Sequence, residues 1–289
     1  MALPSTSYAQ SRYAPQADVD DFSFLVDLEN SAPQSWWDAV DTSDGTKGRV
    51  ADDQTETERA CDWIAFDNTG ETGTLRFLHP GTCSALGSYT IRIYPPKAAN
   101  ASVAATATYG QHNAYDDDWA GYWPLQEDDD DRTSNGRDLT TTGSPTIGGV
   151  TGKFGNATSL NGSGQYFKAV YTLDSPFTLM GWVYKDTNSS RVLMGSFDGT
   201  STSESYRLEV SGSGADYLIY MVSAGTTTAA SAAASTVGAV TTWNHLAGVV
   251  ASDSARSAYL NGGNKGSNTT DTGTTGVDSD LGVCVDARF

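Results

Sequence analysis

Positive charge is what this chain has least of: 17 Lys and Arg stand against 35 Asp and Glu, a formal net charge of -18. Phosphate backbones are gripped by clustered Lys and Arg, so nucleic acid is excluded as a partner. The acidic excess reads as a solubility device for a crowded, salty or exposed setting. Long apolar runs are missing too; nothing approaches the roughly 20 residues that cross a bilayer, and no membrane partner is expected. Cysteine is scarce, and Cys61, Cys83 and Cys284 cannot all pair within one chain. Cys61 and Cys83 fall in one region where they could meet, but the opening MALPSTSYAQSRYAPQADVDD has no basic segment followed by an apolar one. It does not read as a secretory signal, which favours free, buried thiols. There is no C-x-x-C, and no His or Cys spacing suited to zinc. No amphipathic helix stands out either: Ser and Thr interrupt the Ala-rich tracts at 98–107 and 229–234, and neither carries an apolar stripe.

What is present suits β-structure. Seven Trp, fourteen Tyr and nine Phe supply apolar area, while Gly, Ser and Thr separate short alternating runs. The length allows two ordinary domains or one large sandwich. The fold class expected is all-β in two domains, with an arm over 1–20, a small sandwich-like β domain over 21–97, a linker over 98–114 and a larger jelly roll over 115–289.

The first 20 residues contain Pro4 and Pro15 and read as a polar arm or edge strand. FSFLVDL then places Phe22, Phe24, Val26 and Leu28 on one face of a strand. Trp36, Trp37 and Val40 suit a short helical turn, and Asp44-Gly45 a reverse turn. Strands follow at 62–66, 73–78 and 88–94. The series F-x-F-L-V-D-L, W-W-x-x-V, D-G-x-x-x-R-V, D-W-I-A-F-D and Y-T-I-R-I-Y resembles a small domain of unknown function that often stands directly before a laminin G-like sandwich. That family brings no agreed activity with it, and in such relatives the stretch before the sandwich reads like an extended connector, which here is PPKAANASVAATATYG.

In the second half, Tyr122, Trp123 and Leu125 are expected to fill a first strand, with a loop over 131–138. PFTLMGWVY alternates Phe177, Leu179, Gly181 and Val183 with Thr178, Met180, Trp182 and Tyr184, so one face packs inward and the other lines a surface. More strands are expected at 192–197, 206–210, 217–222 and 281–285. TWNHLAGVVASDSARSAYLNGG states a hairpin almost completely. Leu246, Gly248 and Val250 alternate with His245, Ala247 and Val249; Asp253-Ser254 is the turn; and Asn261-Gly262-Gly263 takes positive φ readily and turns the chain back. W-N-H-L-A, a polar turn and Y-L-N-G, together with PFTLMGWVY, resemble the laminin G-like, concanavalin A-like sandwich family. SLNGSGQY corresponds to the family's F-D-G-S-x-x-Y strand and turn, departing at Leu160 and Asn161. The resemblance implies a two-sheet jelly roll whose closing strand is lacking here, an edge that invites another chain to pair.

Glycosidic hydrolysis needs two carboxylates facing one cleft, and no strand carries them at alternating positions; Glu204 and Glu209 do not share a face. His79, His112 and His245 have no G-x-S-x-G or comparable nucleophile turn, and His245 reads as a packed strand residue. No catalytic residue and no cofactor is expected. Calcium is the one metal to weigh, because hard cations take several oxygen ligands and Asp130, Asp131, Asn135 and Asp138 form the densest such run; a solvated loop is the competing reading. Sugar faces stack on exposed aromatic rings. Of Trp119, Trp123, Trp182 and Trp243, all but Trp119 sit in predicted strands where core packing is the ordinary outcome, and Trp119 and Trp182 are the candidates for ligand contact.

The function expected is a non-catalytic structural or adhesive protein on a particle surface: a bacteriophage virion component such as a capsid decoration, head fibre or tail protein. Its partners would be other virion or surface proteins and copies of itself. The alternative is a secreted, extracellular carbohydrate-binding module or adhesin with a glycan partner.

Overall fold

The computed structural model describes residues 8–13, 19–29, 31–83, 88–161, 164–186, 191–197, 205–211, 216–224, 229–234, 238–273 and 280–283. It is built almost wholly of antiparallel strands and divides into two compact units, 1–136 with 147–158, and 137–146 with 159–289.

The first unit is made from β1 (Tyr8–Tyr13), β2 (Val19–Asp27), α1 (Gln34–Trp37), β3 (Arg49–Asp52), β4 (Glu58–Arg59), β5 (Cys61–Asp67), β6 (Thr72–Cys83) and β7 (Ser88–Tyr94). These form sheets in the orders β1-β7-β3-β4 and β2-β6-β5. Alternation decides what each sheet buries: Phe24 and Val26 from β2, Leu75 and Phe77 from β6, and Ile91 and Ile93 from β7 meet in one core with Trp36 and Trp37. Phe24 and Phe77 stack at 5.3 Å, and the buried Trp36 Nε1 donates to the Ile93 carbonyl at 2.9 Å, so its one polar atom is satisfied. The arm anticipated before residue 20 is in part the edge strand β1, paired with β7.

The stretch expected to be a connector is strapped down. Arg49, almost fully buried, pairs with Glu58 at 3.1 Å and donates through Nη2 to the Ala101 carbonyl at 2.7 Å. Asn100 donates to the Lys47 carbonyl, and Ser102 to Asp44. A buried guanidinium needs several acceptors, and the backbone of this stretch supplies one of them. The strand anticipated through Tyr122, Trp123 and Leu125 is not formed. Leu125 has φ 54, the left-handed region, and Asp131 Oδ1 accepts from the Tyr122 amide, so the chain is bent where extension was expected. These residues fold with the first unit up to Gly136.

The remaining strands are β8 (Thr140–Thr142), β9 (Thr146–Thr151), β10 (Asn156–Ser159), β11 (Tyr166–Val170), β12 (Phe177–Tyr184), β13 (Arg191–Phe197), β14 (Ser205–Ser211), β15 (Asp216–Ala224), β16 (Ala229–Ala233), β17 (Gly238–Ala239), β18 (Trp243–Ser252), β19 (Ala255–Leu260), β20 (Gly263–Asn268) and β21 (Asp280–Val283). β9 and β10 pair as a two-stranded ribbon. The second unit is a sandwich. Its larger sheet runs β16-β15-β14-β13-β21-β11-β8 with β17 also on β15, and its smaller sheet runs β12-β18-β19-β20. Leu179, Leu246, Val250, Ala258 and Leu260 from the smaller sheet and Phe167, Val192, Tyr206 and Leu208 from the larger supply the buried residues, and Phe177 and Tyr206 meet edge to face at 4.9 Å. β21 is an interior strand: Val283 is in register with both Phe167 and Met194. On one flank the two sheets also touch. Asn268 Nδ2 donates to the Ser231 carbonyl at 3.0 Å, and a Cβ on Gly266 would fall 1.4 Å from the Ala233 carbonyl, so only glycine fits.

Candidate functional site

The hairpin of β18 and β19 presents two unlike faces, set by alternation. Asn244, Leu246, Gly248 and Val250 point into the sandwich, while Trp243, His245, Ala247 and Val249 point out. On the adjoining β12, Leu179 is buried, whereas Met180, Trp182 and Tyr184 are 42%, 38% and 45% exposed. Register then assembles rows across the sheet: Tyr184 beside Trp243, Trp182 beside His245, Met180 beside Ala247, and Ala247 beside Tyr259. Cross-strand neighbours on one face are close enough to interact. The Tyr184 and Trp243 rings lie 5.6 Å apart at 58°, and Trp182 and His245 lie 5.3 Å apart at 62°. Lys265 Nζ sits 5.7 Å over the Tyr259 ring.

The turn after β19 holds this face in place. Asn261 and Gly262 have φ 52 and 75, the pair of left-handed residues that closes a two-residue hairpin, and Leu260 is in register with Gly263. The Asn261 side chain accepts from the His245 amide at 2.8 Å and donates to Asn244 Oδ1 at 3.1 Å. Asn244, itself buried, donates to the Ala239 carbonyl. Burial lowers the His245 pKa, which favours the neutral imidazole. None of Thr178, Met180, Trp182, Tyr184, Trp243, His245, Tyr259 or Lys265 is a carboxylate, although the chain is strongly acidic.

Trp182, one of the two Trp candidates for ligand contact, is thus on a surface and not in the core that its strand position suggested. Trp243 is half-buried beside it. Trp119, the other candidate, has a different setting within the first unit. Asp62 and Arg76 are register partners on the side of β5 and β6 away from the core, and residues 115–122 lay rings over them. The Arg76 guanidinium lies 4.8 Å from the Trp119 ring, 5.4 Å from Tyr115 and 5.6 Å from Tyr122. Tyr115 donates to Asp62 Oδ2 at 2.5 Å. Burial raises the pKa of Asp62, with the Tyr115 hydrogen bond and Arg132 opposing it, and pushes the Tyr122 hydroxyl up to about 12. Trp119 is therefore part of a clamp around the protein's own cation.

The calcium candidates are likewise engaged. Asp131 is buried, and its carboxylate accepts from the amides of Tyr122 and Thr133 and from the Thr133 hydroxyl. Asn135 donates to the Trp119 carbonyl at 2.7 Å, Asp130 donates its amide to Asp128, and Asp138 belongs to the other compact unit. Among the described residues, no group of three His, Cys, Asp or Glu is placed to hold a metal ion. Cys61 and Cys83 are buried thiols that form no disulfide with each other, and Cys83 Sγ lies 3.6 Å from His79 Nδ1. Desolvation pushes the Cys61 thiol up to about 12, which favours the protonated thiol at neutral pH. Cys284 lies outside the described residues. A cavity of about 220 Å³ in the first unit is lined in part by Arg59, Tyr109 and Asn113. Arg59 pairs with Asp52, Glu58, also in the lining, pairs with Arg49, and the Asn113 amide donates to the Ala107 carbonyl, so each of these polar side chains has a partner within the protein.

Comparison with known proteins bears on the second unit. The family model described as the concanavalin A-like lectin/glucanases superfamily, a laminin G-like model, matches residues 157–284. Among solved structures, domain 4 of AbnA, a GH43 extracellular arabinanase from Geobacillus stearothermophilus in complex with arabinotriose, is similar at 20% identity over 59% of this chain and 84% of that chain, with a TM-score of 0.45. Domains LG4-5 of the mouse laminin alpha1 chain are similar at 12% identity over 98% of this chain and 84% of that one, with a TM-score of 0.30. No curated protein matches the sequence. Both structural likenesses are distant, and the fold of residues 157–284 rests on the family match.

Proposed function

We propose that this chain, whose residues 157–284 form a laminin G-like domain of the concanavalin A-like lectin/glucanase superfamily, is a non-catalytic adhesive protein that binds glycans on the outward face of β12 and β18. The observation that carries this reading is the outward aromatic surface made by exposed Trp182 and Tyr184 with half-buried Trp243 and His245. Large exposed rings gathered on one rigid sheet face are costly to leave in water and mark an interaction surface. The C–H faces of sugars stack on such rings, and the hydroxyls around them find Asn261, the His245 imidazole and Lys265 nearby.

A glycan array probed with the intact protein tests the proposal. Binding to a defined subset of glycans, lost in Trp182→Ala, is the expected result; an array with no signal above background contradicts it. Within this reading, the finer proposal is display on a particle surface, with a bacteriophage virion as the setting, supported by the acidic, Ser/Thr/Gly-rich sequence. Co-sedimentation with purified particles is its test, and a protein that stays wholly in the supernatant removes it.

A further inference from the structure

Resting on the glycan-binding reading, we infer that the ligand is a single soluble chain of neutral sugars running along β12 and β18, and not the flat surface of a crystalline polysaccharide. A crystalline surface is planar and demands rings that share one plane. Here the planes within each pair are inclined at 62° for Trp182 and His245 and at 58° for Tyr184 and Trp243. The rings of each pair are thus inclined and not coplanar, edge to face for Trp182 and His245 and tilted for Tyr184 and Trp243, so that each pair is a step.

Successive steps are two residues apart along the strands, about 7 Å, and the sheet twist rotates each against the last. The Met180, Ala247 and Tyr259 row adds a third, with small Ala247 forming the notch between two larger side chains. A flexible single chain can follow such a staircase, seating one sugar on each step, whereas a rigid lattice touches only its highest points. Charge narrows the class further. Along these rows Lys265 is the one formal charge, since burial favours the neutral form of His245. A polyanionic chain, with a charge on each sugar, would find one Lys as its partner here, and the chain's net charge of -18 opposes it at long range.

The test compares soluble neutral oligosaccharides, microcrystalline particles of the same sugars and soluble polyuronates, using the whole chain and its Trp182→Ala, Trp182→Phe and Trp243→Ala variants. Expected are saturable binding to neutral chains of three or more sugars, at least a tenfold loss in each Ala variant, retention in Trp182→Phe, and no adsorption to particles. Unchanged melting temperatures show that the variants fold. Adsorption to particles that soluble oligosaccharides fail to compete away overturns the single-chain inference while leaving glycan binding intact, and binding confined to polyuronates overturns neutrality. Binding to none of the three removes the functional proposal itself.

Discussion

Trp182 on β12 and His245 on β18 are register partners whose rings stand 5.3 Å apart on the outward face of the smaller sheet. One residue further along β18, Leu246 is fully buried in the sandwich. The proposed glycan-contact face and the core face are thus opposite sides of the same strand, and substitutions should separate binding from stability.

Trp182→Ala is expected to leave the melting temperature within a few degrees of wild type, because the residue is 38% exposed on the face of β12 opposite to buried Leu179. Leu246→Ala removes a fully buried side chain and leaves a cavity, which costs about 2–5 kcal/mol. Chemical denaturation of the two variants checks the contrast.

The turn at Asn261 and Gly262 gives a backbone prediction. Gly262 has φ 75 with open space around the position of a Cβ, so Gly262→Val strains only the backbone. A loss of about 1–2 kcal/mol is expected. Gly266→Ala, where the Ala233 carbonyl blocks the Cβ, should be the more damaging change despite its smaller side chain.

In the first unit, Arg76 is surrounded by Tyr115, Trp119 and Tyr122. Arg76→Ala should lower stability by about 2 kcal/mol through the lost cation–π contacts and should expose the segment over 115–132 to protease. Limited proteolysis followed by mass spectrometry reads the second effect directly.

Asp62 supplies a pH dependence. Burial raises its folded pKa above the ordinary 3.8, so the protonated carboxyl is the form the fold favours. Its contribution is complete below the unfolded value and is lost as pH rises through the folded one. Asp62→Asn keeps an acceptor for the Tyr115 hydroxyl but cannot ionise. The melting temperature of this variant relative to wild type should therefore climb as pH is raised from the acid side of 3.8 toward neutrality; a difference that stays flat with pH would show that Asp62 does not titrate in this range.

Much of the fold was legible from alternation. FTLMGWVY and WNHLAGVVAS each declare which face is inward, and Asn261-Gly262 declares its own turn. The residues that make up the candidate site were already on one face in that reading, but strand position alone assigns Trp182 and Trp243 to a core. Whether the second face of a strand is covered depends on a partner sheet remote in sequence, which periodicity does not encode. The segment through Tyr122, Trp123 and Leu125 misleads for a related reason. Its aromatics suggest a strand, yet the Tyr122 ring is drawn to Arg76, 46 residues before it, and the bend at Leu125 has no Gly or Asn to signal it. That Asp131 caps the amides of Tyr122 and Thr133 was not legible either, because its spacing within an acidic run does not tell a cap from a solvated carboxylate.

The central claim is that the Trp182 and Trp243 rings form the glycan-contact surface, and tryptophan fluorescence titration with the strongest array ligand tests it most directly. The account predicts a saturable change in wild type that is lost in the Trp182→Ala, Trp243→Ala double variant with its melting temperature retained. A double variant that binds with unchanged affinity would contradict it.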